Sequence, residues 1–140
     1  MNVADIMSRD VEFAGSTDTI QAVAELMGEI DVGALPIGSA DKLEGIITDR
    51  DILFRIVARG LDPARVSVRD VMSRPVITCR EDDGLQAAMD LMAANHLRRL
   101  PVQNTAGAVT GWITLADVAR RMLVQDAALQ AALRTLTEAA

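Results

Sequence analysis

The heptapeptide "DIMSRDV" at 5–11 returns as "DVMSRPV" at 70–76, an offset of 65. Three further blocks keep that register. "TIQAVAELM" (19–27) pairs with "GLQAAMDLM" (84–92) and "ALPI" (34–37) with "RLPV" (99–102), both at 65, and "GIITDRDI" (45–52) pairs with "GWITLADV" (111–118) at 66. A fixed period held through four blocks marks a duplicated structural unit. The expected division is a first copy at 1–62, a second at 63–125, and a helical C-terminal extension at 126–140.

Each copy reads alike. Ile20, Val23, Ala24 and Met27 fall on the i, i+3, i+4, i+7 stripe of an amphipathic helix, and Leu85, Ala88, Met89 and Met92 repeat it. "STD" and "EDD" precede the stripes, as helix starts prefer. A strand through Leu-Pro-apolar follows, then a polar turn, a second strand ending in Gly-apolar-apolar-Thr, and a second helix. In the first copy that helix is expected over 49–58, with Gly60 as its terminator. The pattern is β-α-β-β-α twice, with the "MS" segments leading in: an α+β fold of mixed helix and strand. A small sheet of this size cannot bury both faces alone, so the copies are expected to pack on each other.

Each second strand ends in Thr-x-x-Asp, at Thr48/Asp51 and Thr114/Asp117. The structural reading is a capping box, hydroxyl and carboxylate each taking one unpaired backbone N–H. A functional reading stands beside it. A helix N-terminus seats phosphate, an Asp accepts from two ribose hydroxyls, and Gly45 or Gly111 would let a ligand approach the backbone. Spacing alone leaves both readings open.

Composition narrows the function classes. A net charge of −6 argues against nucleic acid as the main partner. Phe13, Phe54 and Trp112 are the only aromatics, too few for base-stacking platforms. No apolar run approaches the ~18 residues of a membrane span, and the N-terminus lacks the basic-then-apolar order of a secretory signal. Cys79 is the single cysteine and His96 the single histidine. An internal disulfide is thereby excluded, a zinc site or nucleophile–base pair is hard to build, and a cytoplasmic setting fits. Cys79 is expected to pack as a small apolar residue on the strand "VITC", and His96 to lie at a helix end. The methionines are read mostly as core on helix stripes. No enzyme activity is expected.

The repeated blocks "DIMSRD"/"DVMSRP", "GALPI"/"RRLPV" and "GIITDRDI"/"GWITLADV", spanning residues 1 to about 123, resemble a tandem pair of cystathionine β-synthase (CBS) domains, a Bateman module, of the small stand-alone prokaryotic kind. The resemblance implies a pseudo-two-fold pair with facing sheets, helices outside and two clefts. In many members the clefts bind AMP, ATP, NAD or S-adenosylmethionine and signal to a partner. Carried over, the first cleft would use Gly33, Ala34, Leu35 and Pro36 with Thr48 and Asp51. The second would use Arg98, Arg99, Leu100 and Pro101 with Thr114 and Asp117. Threonine would lie near phosphate and aspartate on ribose; Val11, Val76 and Thr78 would be adenine contacts. "RRLPV" keeps the basic character that the family often shows before Leu-Pro, whereas "GALPI" does not. The second cleft is therefore the expected phosphate site, and the first would take an uncharged adenosine moiety or nothing. Arg50 could supply charge there or point to solvent. A homodimer acting in trans on an unidentified protein is expected, with the Leu129, Leu133, Leu136 stripe packed on its own subunit or a second copy. The rival reading is a ligand-free scaffold.

Overall fold

A computed structural model describes residues 1–122 and 127–138. The fold is mixed helix and strand, in two compact units: Glu12–Val76, and Met1–Val11 together with Ile77–Ala140. The unit of duplication and the unit of packing are therefore offset. The opening eleven residues belong with the second copy.

In the 12–76 unit, α1 (Ile20–Ile30) starts at Thr19, whose side chain accepts from the Ala22 amide, and ends at Asp31 in the left-handed conformation. The acid of "STD" serves the preceding turn instead: Asp18 Oδ2 accepts from the Gly15 amide at 2.9 Å. Strands β1 (Ala34–Gly38) and β2 (Leu43–Thr48) pair antiparallel. The expected first strand is reduced to one parallel bridge, Ala14 to Ile37. Gly15 follows immediately, and glycine weakens strand continuation. The helix expected over 49–58 is an α-helical turn, α2 (Asp49–Ile52), continued by a π-helical turn at Leu53–Val57. Gly60 follows at φ +67°. Ile20, Val23, Met27, Leu35, Ile37, Ile47, Ile56, Val68 and Met72 form the core, while Ala24 of the expected stripe is exposed.

The other unit repeats this plan. A short β3 (Cys79–Arg80) runs parallel to β4 (Arg99–Gln103), which pairs antiparallel with β5 (Val109–Thr114). The Cys79–Val102 pair occupies the position of Ala14–Ile37 in the first copy, one period on. Helix α3 (Leu85–Ala94) starts after Gly84 without a side-chain cap. His96 follows it, exposed and left-handed at φ 54°. Helices α4 (Leu115–Met122) and α5 (Ala127–Glu138) complete the unit. Val3, Met7, Cys79, Ala88, Met92, Leu100, Val102, Ile113 and Val118 are its core. Of the expected C-terminal stripe, Leu136 is exposed; the side chains of Leu129 and Leu133 lie outside the described residues.

The lead-in segments dock crosswise between copies of the sequence. Ser8 exchanges two backbone hydrogen bonds with Trp112 on β5, both 2.8 Å, and Ser73 does the same with Ile46 on β2 at 2.8 and 3.0 Å. Met7 and Met72, which the sequence reading did not place, fill the space above Gly111 and Gly45. A Cβ at Gly45 would collide with the Met72 thioether, and one at Gly111 with the Met7 thioether and the Ser8 carbonyl oxygen. These two glycines admit a methionine of the same chain, correcting the expectation that they open the backbone to a ligand.

Candidate functional site

The two Thr-x-x-Asp segments form complete capping boxes. Thr48 Oγ1 accepts from the Asp51 amide and Asp51 Oδ2 from the Thr48 amide, both at 3.0 Å. Thr114 Oγ1 accepts from the Asp117 amide at 3.1 Å and Asp117 Oδ2 from the Thr114 amide at 3.2 Å. Each box spans the junction of a strand and a helix, so its geometry is set by the sheet register.

That register brings the two family motifs of each copy side by side. Ala34 lies opposite Thr48 across β1 and β2, and Arg99 lies opposite Thr114 across β4 and β5. The amide that begins each helix closes the arrangement: Asp49 donates to the Gly33 carbonyl at 2.9 Å and Leu115 to the Arg98 carbonyl at 2.7 Å. Gly33, Ala34, Thr48 and Asp51 are thus one cluster, and Arg98, Arg99, Thr114 and Asp117 the other. Arg98 is exposed and Arg99 partly buried, where the first copy has Gly33 and Ala34 at the matching positions.

Other candidates fall differently. The Leu35 and Leu100 side chains belong to the cores of their own units, and Pro36 and Pro101, next along β1 and β4, are buried as well, so these four shape the site through backbone position. Thr78 already donates its hydroxyl to Gln103 Oε1 at 3.0 Å. Val11 closes one compact unit and Val76 the other, each partly buried. Arg50 extends over the Phe54 ring, 4.9 Å from guanidinium carbon to ring centroid, where a cation–π contact holds it.

The carboxylates also carry arginine partners, which the sequence reading missed. Asp117 Oδ1 accepts from Arg120 Nη2 at 2.6 Å, and Arg120 Nη1 donates to Thr137 Oγ1 on α5 at 2.8 Å. In the first copy Asp51 Oδ1 stands 3.6 Å from Arg55, whose other nitrogen donates to the Val71 carbonyl. The signal available in the sequence was an Asp followed by an Arg at i+3 or i+4 on one helix face.

Among the described residues no group of three or more His, Cys, Asp or Glu is placed to hold a metal ion. Nor is any helix there long and apolar enough to cross a membrane. Cys79 is buried, and burial, with the Asp83 charge adding to it, pushes its thiol from 9.0 up to about 11. It is a core residue held protonated.

The CBS domain description matches this chain twice, at residues 3–58 and 68–124. Over 119 residues the chain is 36% identical to hypoxic response protein 1 of Mycobacterium tuberculosis, covering 84% of this chain and 82% of that one. The crystal structure of hypoxic response protein I with two coordinated zinc ions superposes with a TM-score of 0.77 at 35% identity, covering 86% of this chain and 98% of that one. An uncharacterized Methanopyrus kandleri protein, MK0525, is also 36% identical over 84% of this chain, which spans 61% of its length. The CBS domain pair of protein MJ0100, crystallised in complex with 5′-methylthioadenosine and S-adenosyl-L-methionine, superposes with a TM-score of 0.79 at 28% identity, covering 90% of this chain and 98% of that one. Two matched domains in tandem, with the capping box and the strand pairing before it repeated in the two units, establish that the chain belongs to the CBS domain family.

Proposed function

We propose that this chain is a regulatory module that takes an adenosine-containing ligand of the AMP, ATP, NAD or S-adenosylmethionine class and signals to a protein partner in trans. The second copy is the binding copy: Asp117 receives the ribose hydroxyls, Thr114 lies near phosphate, and Arg98 and Arg99 carry the phosphate charge. The observation behind this choice is the β4/β5 register, which sets Arg99 across from Thr114 and ties the Arg98 carbonyl to the first amide of α4. The matching edge of the first copy offers Gly33 and Ala34, so Thr48 and Asp51 would take an uncharged adenosine moiety or serve as a cap alone. Val11, Val76 and Thr78 remain the proposed adenine contacts. The nucleoside complexes of the MJ0100 domain pair support the ligand class.

Calorimetry of the purified protein against AMP and adenosine tests this reading. Asp117→Ala should abolish binding of both, at a stability cost of ~1–2 kcal/mol from the lost cap with the loss of the Arg120 ion pair added to it. Arg98→Ala should weaken AMP far more than adenosine. Equal affinity in Asp117→Ala would remove the ribose assignment, and equal losses for both ligands would remove the phosphate role of Arg98.

One set of observations favours a second reading, a homodimeric scaffold. The hydroxyl and carboxylate groups of both boxes already have partners within the chain, and the turn after α2 exposes Leu53, Phe54 and Val57. Three neighbouring apolar side chains in water suit a second copy of the chain. Light scattering of Phe54→Glu/Val57→Glu should then show a monomer where the unmodified chain is a dimer; an unchanged mass would discard that face.

A further inference from the structure

The second capping box is joined to the C-terminal helix through one side chain. A carboxylate offers about four acceptor positions. On Asp117 the Thr114 amide takes one on Oδ2, and Arg120 takes one on Oδ1 at 2.6 Å. One position is left on each oxygen, the arrangement that a cis-diol fills. Arg120 presents Nη2 to Asp117 and Nη1 to Thr137 of α5, so its planar fork spans the carboxylate and the helix at once. Both ends are shielded: the Arg120 and Asp117 side chains retain only 27% and 24% of their exposure. The first copy has no equivalent, because Arg55 sits 3.6 Å from Asp51 and spends its other nitrogen on the Val71 carbonyl.

We propose that Arg120 is a positioning residue that couples the Asp117 carboxylate to α5, so that ligand occupancy at the second box and docking of α5 strengthen each other. With α5 docked, Thr137 holds the guanidinium, the guanidinium sets the plane of the carboxylate, and its two remaining acceptor positions are presented in one orientation. By reciprocity, a ligand that needs that orientation stabilises the docked helix. The ligand side of the coupling rests on the nucleoside reading above; the link between Asp117 and α5 does not. The output of the module is thereby assigned to α5, the element that responds to the site.

Amide hydrogen exchange over 127–138 and AMP titration of the full chain separate the two. Asp117→Asn, which removes the charge that anchors Arg120, should speed exchange in α5 without any ligand. Thr137→Val, which touches neither box, should weaken AMP binding by about fivefold, the size of one hydrogen bond's net contribution. Arg120→Lys should show both effects, because one ammonium does not reproduce the fork that bridges both partners. The double variant Asp117→Asn/Thr137→Val should exchange no faster in α5 than Asp117→Asn alone. Unchanged α5 exchange in Asp117→Asn, or unchanged AMP affinity in Thr137→Val, overturns the coupling. Absence of AMP and adenosine binding in the unmodified chain removes the nucleoside reading, and the exchange arm then decides the link by itself.

Discussion

At the scale of single residues, the chemistry of this chain lies in hydrogen bonds between near neighbours. Thr48/Asp51 and Thr114/Asp117 were legible as capping boxes because both partners sit three positions apart on one helical turn, and the structure forms every bond of both boxes. Replacing Thr48 by Ala should cost about 1 kcal/mol in denaturant unfolding, with Ser nearly neutral, since Ser offers the same acceptor. Cys79 illustrates the opposite dependence, because its environment comes from distant residues. Burial raises its thiol to about 11, so the folded state holds a proton that the unfolded chain gives up near 9. The sign follows: the contribution is complete below pH 9 and is lost as pH rises from 9 towards 11. Alkylation should accordingly be slow in the native protein at pH 8 and fast in denaturant, and Cys79→Ser should flatten the loss of stability between pH 9 and 11. Rapid native labelling would contradict the burial.

At the scale of elements, the 3.6-residue stripe carried the first helix of each copy and the repeated Leu-Pro-apolar and Gly-apolar-apolar-Thr blocks carried the strands, because each is a local pattern. The first strand of each copy was over-read. It survives as two residues at Cys79–Arg80 and as one bridge at Ala14, since pairing partners, not propensity, decide so short an edge. The glycines before the boxes were legible as a demand for close approach, but the sequence could not say what approaches. Met72 and Met7 do. Gly111→Ala should destabilise by roughly 1–3 kcal/mol through overpacking. Met7→Ala added to Gly111→Ala should not restore stability, because the Ser8 carbonyl oxygen, 2.9 Å from the added methyl, stays in place. In the first copy the three nearest atoms all belong to the Met72 side chain, so Met72→Ala should offset much of the strain of Gly45→Ala. Thermal unfolding of the four variants checks the contrast; equal rescue in both copies would refute it.

At the scale of the whole molecule, the decisive arrangement is that residues 1–11 complete the second copy. Val3 and Met7 are core residues of the unit that holds β3, β4 and β5, while Val68 and Met72 serve the unit that holds β1 and β2. Met7→Ala should cost ~2–5 kcal/mol, as for other buried Met truncations. Hydrogen exchange should place that loss in β4 and β5 ahead of β1 and β2. A uniform loss across both units would contradict the partition. The sequence by itself determined the duplication, the helix stripes, the capping boxes and the asymmetry between Gly33-Ala34 and Arg98-Arg99, because each is written within a few neighbouring positions or in a repeat that can be aligned to itself. Tertiary structure alone decided which copy each lead-in segment completes, that Met7 and Met72 occupy the space above Gly111 and Gly45, and that Arg120 reaches from Asp117 to Thr137. Those choices depend on the free energy of burial and on hydrogen bonds between residues 17 to more than 100 positions apart, a separation at which no local pattern specifies the partner.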